Sequence, residues 1–205
     1  MKLNLPNKLT VARIIATPIF MLLLLWEFKG HYIAALLLFI AAALTDMFDG
    51  NYARKYNMVT DFGKFLDPLA DKMLTTTAFL GFIALGIGNG VVIISFIVLF
   101  REFLISSLRL TAVSSGGTVI AANIWGKLKT ITQMVAIITA MIFEYFKYLD
   151  NTYFHLFYNP ANSASPLHIV LDIIVDLLLW GSAILAVVSG VIYLIENKKY
   201  IDTSK

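Results

Sequence analysis

Apolar runs long enough to cross a bilayer recur along this chain, and they constrain its fold before any single residue does. A spanning helix needs about 20 mostly apolar residues. In lipid every backbone N–H and C=O must also be bonded within the chain, which leaves helices or a closed barrel. Six such runs, near Val11–Glu27, Tyr32–Ala53, Pro68–Leu85, Val91–Ala112, Trp125–Tyr148 and Leu167–Ile195, have helical length and short connections. The expectation is an all-α integral membrane protein, with six transmembrane helices in one bundle and a short N-terminal interfacial segment. It forms a single domain over residues 1–205. Charged residues make up only 14% of the chain, against about 25% in soluble domains, which excludes the ordinary soluble classes.

Cysteine is absent, which removes disulfide frameworks, thiolate nucleophiles and zinc–thiolate sites. His31, His155 and His168 are scattered without metal-ligand spacing and read as interfacial or loop residues. The basic start MKLNLPNKLTVAR precedes an apolar run without a small-residue cleavage site, so it reads as retained. Lys and Arg gather at one set of helix ends, while Lys29 and Lys147 fall at the other. By the positive-inside rule both termini and the Asp46–Arg54 end lie in the cytoplasm. Asp172 and Asp176, near the opposite end of the last run, read as interfacial carboxylates that snorkel to the headgroups.

Against this background the stretch LTDMFDGNYARKYNMVTDFGKFLDPLADK, Leu44 to Lys72, is anomalous, because it carries five aspartates. Carboxylates in a membrane helix are costly and mark function. Asp46 and Asp49 are three apart at the end of the second run, and Asp67 and Asp71 four apart at the start of the third, so each pair shares a helix face. Brought to one depth, four carboxylates repel unless positive charge enters. Oxygen-only donors suit Mg²⁺, Mn²⁺ or Ca²⁺, and four aspartates can hold two ions about 4 Å apart, the clamp used in phosphoryl substitution. Arg54 offers a planar fork for phosphate oxygens, Gly50 admits a ligand against the backbone, and Ala53 keeps that surface low. Asp61, outside the spacing, reads as a solvated loop residue.

These residues spell D-x2-D-G-x2-A-R-x8-G-x3-D-x3-D, from Asp46 through Asp49, Gly50, Ala53, Arg54, Gly63 and Asp67 to Asp71. The pattern resembles the signature of the CDP-alcohol phosphatidyltransferase family, and every fixed position and both gaps match. The resemblance implies a six-helix membrane fold, usually a homodimer, whose site opens to the cytoplasm and inner leaflet. Asp46, Asp49, Asp67 and Asp71 would ligate two divalent cations, Mg²⁺ or Mn²⁺, and Asp71 would be the general base. Gly50, Ala53, Arg54 and Thr60, with Asn7 and Thr10 of PNKLTVAR, would line the site for CDP-diacylglycerol.

The motif leaves the acceptor alcohol open among serine, inositol phosphate, glycerol phosphate and phosphatidylglycerol. The segments LPNKLTVAR, REFLISSLR and AANIWGKLKT resemble the branch of the family that uses sn-glycerol 3-phosphate and forms phosphatidylglycerophosphate and CMP. An anionic acceptor needs further cations, for which Arg109, Lys127, Lys129 and Arg101 are the candidates. Glu102 is an alternative partner for Arg101, and membrane topology an alternative reason for the two lysines. Intramembrane carboxylates also occur in divalent-ion transporters, but no matching acidic helix stands in the other half of the chain.

Overall fold

The computed structural model describes residues 4–55, 60–114, 124–154 and 165–197. Six α-helices follow in chain order: α1 Leu5–Leu25, α2 His31–Lys55, α3 Asp61–Leu85, α4 Val91–Ser114, α5 Ile124–Leu149 and α6 Pro166–Glu196, with a single π-helical turn at Asp150–Phe154 before α6. No strand occurs among the described residues. Among the described residues four helical stretches are long and apolar enough to cross a membrane, namely Leu5–Leu25, Val91–Ala112, Ile124–Phe154 and Pro166–Glu196. In α2 the described apolar stretch runs over His31–Thr45, and Asp46 and Asp49 follow it. The first half of α3 carries Lys64, Asp67, Asp71 and Lys72. Among the described residues, length and apolarity support four spans, and the acidic motif lies on the other two helices.

Two helices start earlier than the apolar pattern predicts, and capping explains both. Helix α1 begins at Leu5 because the Asn4 side chain accepts the Asn7 N–H at 3.1 Å. Pro6 stands in the first turn, where its missing N–H costs nothing. The expected interfacial segment is thus helical from Leu5 onward. Helix α3 begins at Asp61 because Thr60 Oγ1 accepts the Gly63 N–H at 3.0 Å. Asp61, expected in a loop, is the first residue of α3.

The chain divides into two units, Met1–Ile87 with Ile138–Ile169, and Gly88–Ile137 with Val170–Lys205. In the first, α1 packs on both α2 and α3. Phe20 and Leu24 of α1, Phe39 of α2, and Phe79 and Phe82 of α3 are buried, with the Phe20 and Phe39 rings 5.4 Å apart. Gly81 allows this approach, since a Cβ there would run into the Leu24 side chain. His31 departs from its expected interfacial or loop role. It is buried, with Nδ1 3.2 Å from the Leu24 carbonyl, and so meets one of the carbonyls that a helix end leaves without an intrahelical donor. His168 is buried as well, with Nε2 3.2 Å from the Asp150 carboxylate. His155 lies outside the described residues.

In the second unit the turn into α4 is tied to α6. Gly88 and Gly90 take positive φ of 87° and 72°, which brings the Asn89 N–H and Nδ2 to the Asp176 carboxylate at 2.7 and 2.6 Å. Trp180 Nε1 donates to the Asn89 carbonyl at 3.1 Å. Asp176 is therefore a bidentate anchor for a turn rather than a carboxylate snorkelling to headgroups. The backbone reached it first.

Gly81→Ala forces a methyl against Leu24 and is expected to cost about 1–3 kcal/mol. Gly181, whose added Cβ would meet nothing within 4 Å, should tolerate Ala without loss. Thermal unfolding of the two variants in detergent checks the contrast.

Candidate active site

The buried face of α1 is polar before it is apolar. Asn7, Thr10, Arg13 and Thr17 follow one another at helical spacing and are all buried, and only then come Phe20 and Leu24. Buried polar groups are costly unless bonded. Asn7 and Thr10 find their partners at the start of α3.

Asn7 Nδ2 donates to Thr60 Oγ1 at 2.9 Å, and the Thr60 hydroxyl donates to Asn7 Oδ1 at 3.1 Å while accepting the Gly63 N–H. One hydroxyl, with one proton and two lone pairs, serves all three. The closeness of Asn7 also explains the motif glycine. A Cβ on Gly63 would fall 2.9 Å from Asn7 Oδ1 and 3.3 Å from Thr60 Oγ1, so any side chain would force the Asn7 amide to shift.

One turn further along both helices, Thr10 Oγ1 lies 2.9 Å from Asp67 Oδ1 and 3.1 Å from the Pro6 carbonyl. The hydroxyl proton is shared, and the bond to the ionised acceptor is the stronger. Asp67 is thereby oriented at an exposed position, and Asp71, four residues on, is exposed too. Asp46, Asp49, Gly50, Ala53 and Arg54 lie in the last turns of α2, and their side chains are outside the described part of the structure. Among the described residues no three acidic or histidine side chains form a group that could hold a metal. Two of the four expected carboxylates, Asp67 and Asp71, thus stand on one exposed stretch of α3, and Asn7, Thr10, Thr60 and Gly63 form the scaffold beside them.

Arg13 is the residue that sequence reasoning undervalued. It counts there only toward orientation, yet it is 2% exposed and the largest fully buried side chain. Its signal is the spacing: Arg13 follows Thr10 by one turn on the stripe that begins with Asn7.

The acceptor candidates lie in the second unit. Arg101 Nη1 and Lys129 Nζ share Glu102 Oε1 at 2.9 and 2.8 Å, with Lys129 buried. Lys127 is exposed. Arg109 Nε donates to Tyr193 Oη at 3.2 Å.

Comparison with known proteins gives a consistent result. The family model described as CDP-alcohol phosphatidyltransferase matches residues 3–159. A Bacillus subtilis (strain 168) protein named CDP-diacylglycerol--glycerol-3-phosphate 3-phosphatidyltransferase is 38% identical, covering 98% of both chains. A Rickettsia bellii protein of the same name is 35% identical, over 96% of this chain and 97% of its own. A Mycobacterium tuberculosis (strain CDC 1551) protein named probable phosphatidylglycerophosphate synthase is 43% identical over 65% of this chain and 64% of its own.

Gly63→Ala is expected to destabilise the fold by about 1–3 kcal/mol by crowding the Asn7 amide. Adding Asn7→Ala removes the crowding, so the double variant should be more stable than the two single losses add up to. A double-mutant cycle on unfolding midpoints tests this coupling.

Proposed function

The chain belongs to the CDP-alcohol phosphatidyltransferase family, and from that membership we propose that it transfers the phosphatidyl group of CDP-diacylglycerol to sn-glycerol 3-phosphate. The products are phosphatidylglycerophosphate and CMP. The observation that carries this reading is the match over 98% of both chains to a relative named for that reaction. The relatives are bacterial and four helical stretches here suit a bilayer, which fits a multi-pass bacterial membrane protein. We assign both termini and the motif ends of α2 and α3 to the cytoplasm, on the distribution of Lys and Arg. A homodimer of one domain per chain completes the proposal.

The donor set fits hard divalent cations. Asp67 and Asp71 offer oxygen donors at exposed positions, one carboxylate is fixed in rotation by Thr10, and no cysteine is available to favour a softer ion. We assign Asp46, Asp49, Asp67 and Asp71 as ligands of two Mg²⁺ or Mn²⁺ ions. Bound there, the cations would supply the positive charge that the diphosphate and the departing CMP require.

The remaining work falls to the chain. Arg54 gives the diphosphate a planar fork, and Gly50 and Ala53 keep the last turns of α2 low beside it. Thr60, Asn7 and Thr10 complete the nucleotide side of the site. Asp71 accepts the proton of the attacking acceptor hydroxyl. That oxygen bonds to the phosphorus carrying diacylglycerol as the bond from this phosphorus to the CMP oxygen breaks. Arg109, Lys127 and Lys129, with Arg101, supply the positive charge for the acceptor phosphate. A site at the bilayer edge suits both halves of the donor, since its acyl chains remain in lipid while its nucleotide remains in water.

Purified protein with CDP-diacylglycerol and Mg²⁺ should release CMP with sn-glycerol 3-phosphate and not with serine or inositol phosphate. Chelator or Asp71→Asn should abolish that release. CMP release with only another alcohol would discard the acceptor assignment, and none with any alcohol would discard the enzyme reading. Thr10→Val, which keeps shape but loses the bond to Asp67, should raise the Mg²⁺ concentration for half-maximal rate by about 10–100-fold, the usual effect of freeing a metal-ligating group. An unchanged Mg²⁺ requirement would show that the Thr10 bond does not support metal binding at Asp67.

A further inference from the structure

Among the cations proposed for the acceptor phosphate, the two arginines are held differently. Arg101 is ion-paired with Glu102 at 2.9 Å, on an oxygen that also takes Lys129. Arg109 instead meets an uncharged group. Its Nε donates to Tyr193 Oη at 3.2 Å, and its Cζ lies 5.7 Å from the centroid of the same ring. Tyr193 is only 2% exposed, so the phenol is a fixed point, whereas Arg109 is partly exposed. The two Nη groups of Arg109 have no protein partner among the described residues.

This arrangement has a chemical consequence. A guanidinium is a planar fork that binds phosphate through two parallel N–H bonds, and on a flexible stem it loses rotamer freedom on binding. A bond to Nε fixes the plane of the fork while leaving the Nη edge for a ligand, so ordering is achieved before the ligand arrives. A carboxylate in place of the phenol would compete with the ligand by neutralising the charge. The phenol orients without neutralising.

We propose that Tyr193 is a positioning residue for the acceptor: its phenol oxygen holds Arg109 Nε so that the two Nη groups face a phosphate monoester. The inference rests on the assignment of Arg109 to the acceptor phosphate and adds a residue of α6, a helix the motif does not reach. Tyr193 touches no reacting atom, and it acts through Arg109 alone.

The test is steady-state kinetics of the full-length protein in detergent micelles, with sn-glycerol 3-phosphate and CDP-diacylglycerol varied separately. Tyr193→Phe keeps the buried ring and removes the oxygen. It should raise KM for glycerol 3-phosphate about three- to tenfold, the effect of one lost bond, while kcat and KM for CDP-diacylglycerol stay within about twofold. Arg109→Gln should raise the acceptor KM further, about 100-fold for a lost charged fork, and adding Tyr193→Phe to it should change nothing more. An unchanged acceptor KM in Tyr193→Phe, with Arg109→Gln impaired, overturns the role of Tyr193 and leaves the acceptor assignment standing. An unchanged acceptor KM in Arg109→Gln overturns that assignment and the inference with it. Arg109→Lys lacks the Nε donor and serves as a second background. There Tyr193→Phe should have no added effect, and a further rise in acceptor KM would also overturn the proposal.

Discussion

The bond between Thr10 and Asp67, with the Asn7–Thr60 pair one turn before it, is the constraint on which the candidate site depends. A helix that crosses lipid would ordinarily bury an apolar face, and α1 does so only from Phe20 onward. Before Phe20 it buries Asn7, Thr10, Arg13 and Thr17, and buried polar groups are costly unless bonded. Thr17 turns back to the Arg13 carbonyl at 2.9 Å, a local solution. Asn7 and Thr10 take the non-local one and fix where α3 begins. Gly63 follows from that, since the Asn7 amide occupies the space a Cβ would need.

The acidic motif occupies the last turns of α2 and the first half of α3. Charged and polar residues at one end of a helix favour the level where water and headgroups begin. A lipid donor with a water-soluble nucleotide needs its reacting phosphate at the same level, which is what the proposed chemistry asks of these two helix ends.

The second unit shows how polar residues between apolar helices are used for construction. Asp176 and Trp180 hold the turn at Asn89, and Glu102 gathers Arg101 and Lys129 on one oxygen. The Glu102 arrangement gives a buried lysine and a half-buried arginine a charged partner, whereas the Asn89 turn is tied at an exposed position. Arg109 departs from this pattern, because its partner Tyr193 carries no charge.

Much of this protein was legible in its residues. The six helices lie where the apolar runs predict, since burial in lipid demands long uninterrupted hydrophobic stretches. The acidic motif is recognisable because its spacing is helical and its cost in a membrane is high. Their early starts needed the cap geometry of Asn4 and Thr60, as polarity gave no reason to extend a span toward charge. The side-chain partnerships were beyond reach. Asn7 and Thr60 are 53 positions apart, Asn89 and Asp176 87, and Arg109 and Tyr193 84, and no local period links such pairs. By itself the sequence determined which segments are helices and which residues are candidates for the chemistry, because both follow from spacing along one chain. Only the tertiary structure decided which polar groups satisfy one another, because that depends on the few ångströms between helices that packing alone sets.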